Sequence, residues 1–513
     1  MTSLKSTPDV TAPARPGPRG AGIETESTRR VLDLLFGKSS TSGGANRLPQ
    51  GLGVRLWDGS YWPRKADYTT TLVLNNPYIW RKILLSANEL TMVDAYIYQD
   101  VDIEGDLEGI FPMAMALRDL NRGPLGGLLN KARLFMAIMQ MPAEKPLLTE
   151  RVPKKEWDGA ADSGGGSAEN SIAAVQAAVA EENDANEPPV VKQGPVQSRL
   201  NRYLPAFMQG RRHSLNRDRA AIAYHYNLSN DFYSLWLDPT MTYSCAYFKD
   251  AGNSLAQAQQ DKLEHICRKL RLKPGQRLLD IGCGWGGLAI YAATHYGVEV
   301  LGITLSHAQA ALANQRVAEA GLQGKVRIIE KDYRELNEKE GFDVLVSVGM
   351  FEHVGAANLP TYFKKALDLL KPGGVFLNHG IGTGIVQKKV KGPTFIDTYV
   401  FPDGELELIN ETLRAAEGAG FEVRDVESLR EHYRLTLQHW SRNLVTNSDK
   451  AIEYVGEPTF RVWKLYLAAS AYGFGSNWLS LYQTLLVKTD REGTSYLPLT
   501  RADWYKSETP VTV

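Results

Sequence analysis

Cysteine is scarce in this chain of 513 residues: three occur, Cys245, Cys267 and Cys283, and none form a CxxC pair. That excludes a disulfide framework and a zinc ribbon, and it fits a reducing cytosol. No His or Cys pair has metal-ligand spacing, so no bound metal is expected. An excess of one charge is also missing, with 58 basic against 58 acidic residues. This argues against a chain built throughout to coat nucleic acid. No run of about 18 apolar residues exists that could span a bilayer as a helix. The opening MTSLKSTPDVTAPARPG has no apolar core of the secretory type. What is present is ordinary globular material, 43% hydrophobic and 9% aromatic. At roughly 150 residues per domain the length predicts about three domains, or two with tails. The expectation is a soluble cytoplasmic protein.

Composition divides the chain. Residues 1–45 are rich in Pro, Ser, Thr and Gly and read as a disordered tail with no core-forming power. Within 46–142, VRLWDGSYWPRKADYTTTLVLNN predicts two short strands around an Asp58-Gly59 turn and a third strand ending at Asn75-Asn76. PYIWRKILLSANEL predicts a helix opening near Pro77. This is a small α+β domain. Residues 143–195 form a flexible linker: Glu156 to Glu187 holds eight acidic residues and no basic one. Between Arg199 and Arg219 the sign reverses, with six arginines against Asp218, interleaved with Leu200, Tyr203, Leu204, Phe207 and Met208. That stretch is either a solvated helix face or a surface resting on anionic lipid headgroups. From 196 to 490 strand and helix patterns alternate, which predicts an α/β, doubly wound, mostly parallel sheet with ligands at the carboxyl ends of its strands. Residues 491–513 are a C-terminal tail.

The chemistry-bearing motifs fall at those strand ends. LDIGCGWGG sets Asp280, Gly282 and Gly284 between a strand and a helix, where glycine lets the backbone approach a ligand closely. The spacing is not G-x-G-x-x-G, and the second strand ends in Thr304 and Ser306 rather than an acidic ribose clamp. A nucleoside without pyrophosphate fits better than NAD, and S-adenosylmethionine is the obvious candidate. A structural tight turn is the alternative. MTYSCAYF combines Tyr243, Ser244 and Cys245; the cysteine reads as a small core residue unless a base activates it. VGMFEHVG ends a strand with Glu352-His353, either a surface turn or a carboxylate carried into the cleft, and His379 ends the next strand.

Taken in order, YHYNLSNDFY, LDPTMTYSCAYF, LDIGCGWGG, GITLSHAQ, SVGMFEHVG, HGIG, YVFPDGEL and HYRLTL resemble the cyclopropane-fatty-acyl-phospholipid synthases and mycolic acid cyclopropane synthases. The resemblance spans roughly residues 220–488. It implies a Rossmann-like class I S-adenosylmethionine methyltransferase fold, and a lipid-handling role for the N-terminal domain. It implies a cofactor pocket at Tyr243, Ser244, Asp280, Gly282, Gly284, Thr304, Gln309, Asp332 and Tyr333. It also implies a bicarbonate ion held by residues at Cys245, Glu352, His379, Ile381 and Tyr433. Two positions depart from common family residues: Ala246, which the mycolate enzymes share, and Gly380 in place of threonine.

The implied reaction adds a methylene bridge from S-adenosylmethionine across a cis double bond of a phospholipid acyl chain. Alkylating an alkene makes a carbocation that water would capture, so the cavity must be dry and aromatic-lined, with a base to take the proton. Ending the same cation differently gives a methyl- or methylene-branched fatty acid, and a catalytically silent lipid-binding module is the reading from another class. The implied partner is an unsaturated phospholipid at a membrane surface, reached by peripheral attachment; a homodimer is allowed by the sequence, and no nucleic acid is expected.

Overall fold

The computed structural model describes residues 22–37, 49–64, 67–86, 88–120, 127–142, 213, 217–218, 225, 228–384 and 394–505. The first element departs from expectation, because Gly22–Phe36 is a helix within the segment read as a disordered tail. Thr28, Val31, Leu32, Leu35 and Phe36 recur at helical spacing and are all buried. Composition averaged over the first 45 residues conceals this one amphipathic stretch.

Strands β1 (Leu52–Arg55), β2 (Tyr61–Trp62), β3 (Thr70–Leu74) and β4 (Val101–Gly105) form a sheet in the order β2-β1-β3-β4. The Asp58-Gly59 turn joins the first two: Gly59 sits at φ +81° and Asp58 Oδ1 accepts from the Ser60 amide at 2.9 Å. The one helix expected after Pro77 is two, Ile79–Ser86 and Glu89–Ile97. Asn88 restarts the chain as a cap, its side chain accepting from the Leu90 amide. Helices Phe111–Leu120 and Gly127–Met139 follow. The acidic linker lies outside the described residues, as does most of the arginine-rich stretch. Of its arginines Arg217 is described, and it is bound into the protein by a two-point ion pair with Asp403, 2.8 Å at Nη2, rather than presented to lipid.

The second sheet has seven strands: β5 (Arg277–Ile281), β6 (Glu299–Thr304), β7 (Val326–Glu330), β8 (Phe342–Val348), β9 (Leu370–Thr383), β10 (Glu422–Ser428) and β11 (Leu479–Val487). Their order is β10-β11-β9-β8-β5-β6-β7, with β11 antiparallel between β9 and β10 and the others parallel where they pair. Chain direction across the sheet reverses between β5 and β8, and such a switch point opens a cleft at the carboxyl ends. The sheet meets the expectation of a doubly wound, mostly parallel α/β fold.

Beyond β10, helices Arg430–Thr446 and Glu457–Gly475 carry an aromatic and aliphatic core that continues into the N-terminal sheet. Arg461 fastens the two: its Nε donates to the Tyr96 carbonyl at 2.7 Å and its guanidinium lies 4.1 Å from the Tyr96 ring centroid. The segment from 491, expected as a tail, docks as far as Tyr505. Trp504 is buried, and Arg271 pairs with Asp503 at 2.6 Å. Among the described residues no helix is long and apolar enough to cross a membrane.

Candidate active site

The glycine turn after β5 is built by contact as much as by torsion. Gly282 has φ +81°, and a Cβ there would lie 2.7 Å from the Cβ of Met350, the residue that follows β8 by two. Only glycine lets the two strand-end loops meet so closely. The amides of Gly282 and Cys283 both donate to the Ile303 carbonyl at 2.9 Å, tying the turn to β6.

All nine residues expected to hold the cofactor line one cleft at this switch point: Tyr243, Ser244, Asp280, Gly282, Gly284, Thr304, Gln309, Asp332 and Tyr333. Thr304 Oγ1 donates to Gln309 Oε1 at 2.7 Å, so the pair presents the Gln309 amide nitrogen as a donor. The Asp332 carboxylate is already held by Arg334 at 2.7 Å, and Arg334 reaches Asp218 at 2.9 Å. Burial pushes the Asp280 carboxyl up to about 7, moderated by the Lys262 charge. Burial likewise lowers the Lys262 ammonium to about 8, and its Nζ donates to Ser244 Oγ at 3.1 Å.

The second set of residues adjoins the cleft along the chain, Cys245 following Ser244 and Glu352 preceding His353, both of which line it. Glu352 occupies a 3-10 turn after β8, and its Oε1 accepts from the Ile381 amide at 2.6 Å. Burial pushes its carboxyl up to about 7 against the pull of that amide. His379 stands inside β9 rather than at its end: β8 pairs as far as His379, while β11 extends the strand to Thr383. Ile381 follows two residues on, facing the same side. The Leu429 carbonyl ties in the other two, accepting from the Tyr433 amide at 3.1 Å with Cys245 Sγ 3.8 Å away. Tyr433 lies against Phe474 and Trp440, with ring centroids 4.6 and 6.0 Å apart. Burial drives the Cys245 thiol far above its ordinary value, which leaves it a neutral packing group rather than a nucleophile.

Two polar atoms in this set, Glu352 Oε2 and His379 Nε2, are buried with no hydrogen-bond partner among the described residues. Such atoms are costly unless a ligand completes them. Glu352 and His353 part company: His353 lines the cofactor cleft, while Glu352 turns to β9. Lys262, Trp285 and Arg334 also line the cleft and were not singled out from the sequence. For Lys262 a signal existed. Leu255, Gln259, Lys262, Ile266 and Lys269 repeat at helical spacing along Leu255–Leu270 and are all buried, so two lysines sit on an inward stripe.

A glycine turn without pyrophosphate spacing, at the switch point of a seven-stranded sheet whose last strand is antiparallel, defines a class I S-adenosylmethionine-dependent methyltransferase. The sequence model of the mycolic acid cyclopropane synthetase family matches residues 213–484, more than half of the chain, and the chain belongs to that family. It is 51% identical to the Pseudomonas putida protein named "Probable fatty acid methyltransferase", over 58% of this chain and 76% of that one. It is 42% identical to the cyclopropane-fatty-acyl-phospholipid synthase of Escherichia coli, over 52% of this chain and 68% of that one. Among solved structures, mycolic acid cyclopropane synthase CmaA1 complexed with SAH and CTAB superposes with a TM-score of 0.50 at 37% identity, covering 52% of this chain and 97% of that chain.

Proposed function

We propose that this methyltransferase forms a cyclopropane ring across the cis double bond of an unsaturated phospholipid acyl chain, with bicarbonate as the base. The observation that carries the reading is the two orphaned buried atoms, Glu352 Oε2 and His379 Nε2, on residues joined through β9, where Glu352 accepts from the Ile381 amide two residues beyond His379. An oxyanion with both donor and acceptor capacity fits such a pair. When bound, S-adenosylmethionine supplies an electrophilic methyl group and bicarbonate supplies the base.

The chain's own residues do the rest. Tyr243, Trp440, Trp463 and Tyr433 belong to one packed core cluster with Cys245 and Ile381. They exclude water and offer ring faces to positive charge on the lipid. Glu352, held at one oxygen by Ile381, keeps the other available to orient the base, and near neutral pH it populates both protonation states. Cys245 and the Ile381 side chain shape the apolar wall.

Replacing Glu352 with Gln should leave S-adenosylmethionine affinity unchanged while lowering turnover about 100-fold or more; lipid product formed at the wild-type rate would refute the site. The name of the Pseudomonas putida relative favours a second reading, a fatty acid C-methyltransferase giving methyl- or methylene-branched chains. Gas chromatography–mass spectrometry of host lipids against ring and branch standards decides between them.

We further propose peripheral attachment at the cytoplasmic face of the membrane. Helix Gly127–Met139 supports it, exposing Phe135, Met136 and Met139 at 54%, 58% and 44%. Exposed apolar side chains grouped on one face mark an interaction surface.

A further inference from the structure

His379 can orient an anion only through a nitrogen that carries a proton, and a neutral imidazole carries one proton on either of two nitrogens. The surroundings of His379 fix which. Its Nδ1 lies 3.1 Å from Nε2 of Gln483, its cross-strand partner on β11. Gln483 is fully buried, and its Oε1 lies 3.1 Å from Nζ of Lys269.

Lys269 Nζ is ion-paired with two carboxylates, Glu427 at 2.6 Å and Asp425 at 3.2 Å. An ammonium can only donate, so the Gln483 atom facing it must be the oxygen. The opposite amide orientation would set NH2 against NH3+. With the oxygen committed to Lys269, Gln483 turns its NH2 to His379, and an NH2 group can only donate. Nδ1 must therefore accept, and the single imidazole proton is left on Nε2, the atom that lacks a protein partner.

We infer that Gln483 and Lys269 are positioning residues that lock His379 in its Nε2–H tautomer, so that the histidine donates a hydrogen bond to the anion in the site. The inference rests on the bicarbonate reading for the identity of that anion but not for the tautomer itself. Burial, aided by the Lys262 and Lys269 charges, lowers His379 to about 3, so the ring stays neutral throughout the working range. The relay runs from the half-buried Glu427 through Lys269 and Gln483 to His379. Its members lie far apart in sequence, Glu427 being 158 positions beyond Lys269 and Gln483 104 positions beyond His379.

The test is 15N NMR of the full chain labelled in histidine, with the His379 signals identified by their loss in His379→Gln. Nε2 should be protonated and Nδ1 bare; a protonated Nδ1, or both nitrogens protonated, overturns the inference. In Gln483→Leu the preference should relax to a mixture of tautomers. The bicarbonate concentration for half-maximal rate should then rise about tenfold, with S-adenosylmethionine affinity unchanged. A Gln483→Leu enzyme with the wild-type tautomer and wild-type bicarbonate dependence also refutes it. Should that variant not fold, the wild-type spectrum still decides. A wild-type rate indifferent to bicarbonate in CO2-free buffer would remove the proposed base while leaving the tautomer result standing, so the two failures are distinguishable.

Discussion

Glu352 Oε1 accepts the Ile381 amide at 2.6 Å while its Oε2 has no partner among the described residues. One carboxylate is thus half anchored to β9 and half left for chemistry. The anchor is a backbone group, so its position depends on strand register and not on a neighbouring side chain. Burial nevertheless dominates, and the carboxyl titrates near 7 rather than near 4.5.

That shift has a stability consequence with a definite sign. A carboxyl whose folded-state pKa is raised favours folding while protonated. The contribution is fully present below about 4.5 and is lost as pH rises through about 7. Glu352→Gln fixes the neutral form. Relative to wild type, the variant should gain stability between pH 5 and pH 8, by roughly 3 kcal/mol at most and on the order of 5 °C in melting temperature. Asp280, also raised to about 7, is present in both proteins and cancels. Differential scanning fluorimetry in CO2-free buffers measures the difference, and a gap that does not widen with pH would contradict it.

What could be read from the sequence, and what could not, follows the range of the interactions. The glycine turn and the residues at strand ends were legible because strand period, turn chemistry and the switch-point rule are local or topological. Thr304 and Gln309, five residues apart, are of this kind. Gln483 and Lys269 were not legible as partners of His379, because what makes them so is pairing between strands and a helix far apart in the chain. Arg217 shows the same failure from the other side: its stretch reads as a basic surface, and its pairing with Asp403, 186 residues away, carries no local signature. The helix Gly22–Phe36 was missed for a different reason, since its apolar stripe is diluted by the polar segments that flank it.

Gly282 offers a sharper test of the cleft. Alanine there would hold a non-glycine residue at φ +81° and drive its Cβ to 2.7 Å from Met350 Cβ. Gly282→Ala should lose on the order of 2–4 kcal/mol of stability and at least about tenfold in S-adenosylmethionine affinity. Adding Met350→Ala should recover part of the loss, because it relieves the collision and leaves the torsion strained. Calorimetric titration and thermal melts of both variants check this, and wild-type affinity in the single variant would show that the turn does not form the cofactor site.

The proposed membrane attachment would separate into two contributions that salt distinguishes. Phe135, Met136 and Met139 stand exposed on helix Gly127–Met139, with Leu34 exposed at 44% on the helix Gly22–Phe36, and Arg133 is exposed on the same helix as the first three. Insertion of such side chains among acyl chains gains from apolar burial, which salt does not screen, whereas attraction of arginines to anionic headgroups is screened within about 10 Å at 0.1 M salt. Binding to vesicles containing anionic lipid should therefore fall as salt rises and level off at a residual that persists. Replacing Phe135, Met136 and Met139 together with Ser should lower that residual at least about 30-fold. Flotation assays across a salt series read both quantities. Binding by the triple variant equal to wild type at high salt would exclude this helix from the membrane contact, and complete loss of wild-type binding at high salt would make the contact purely electrostatic.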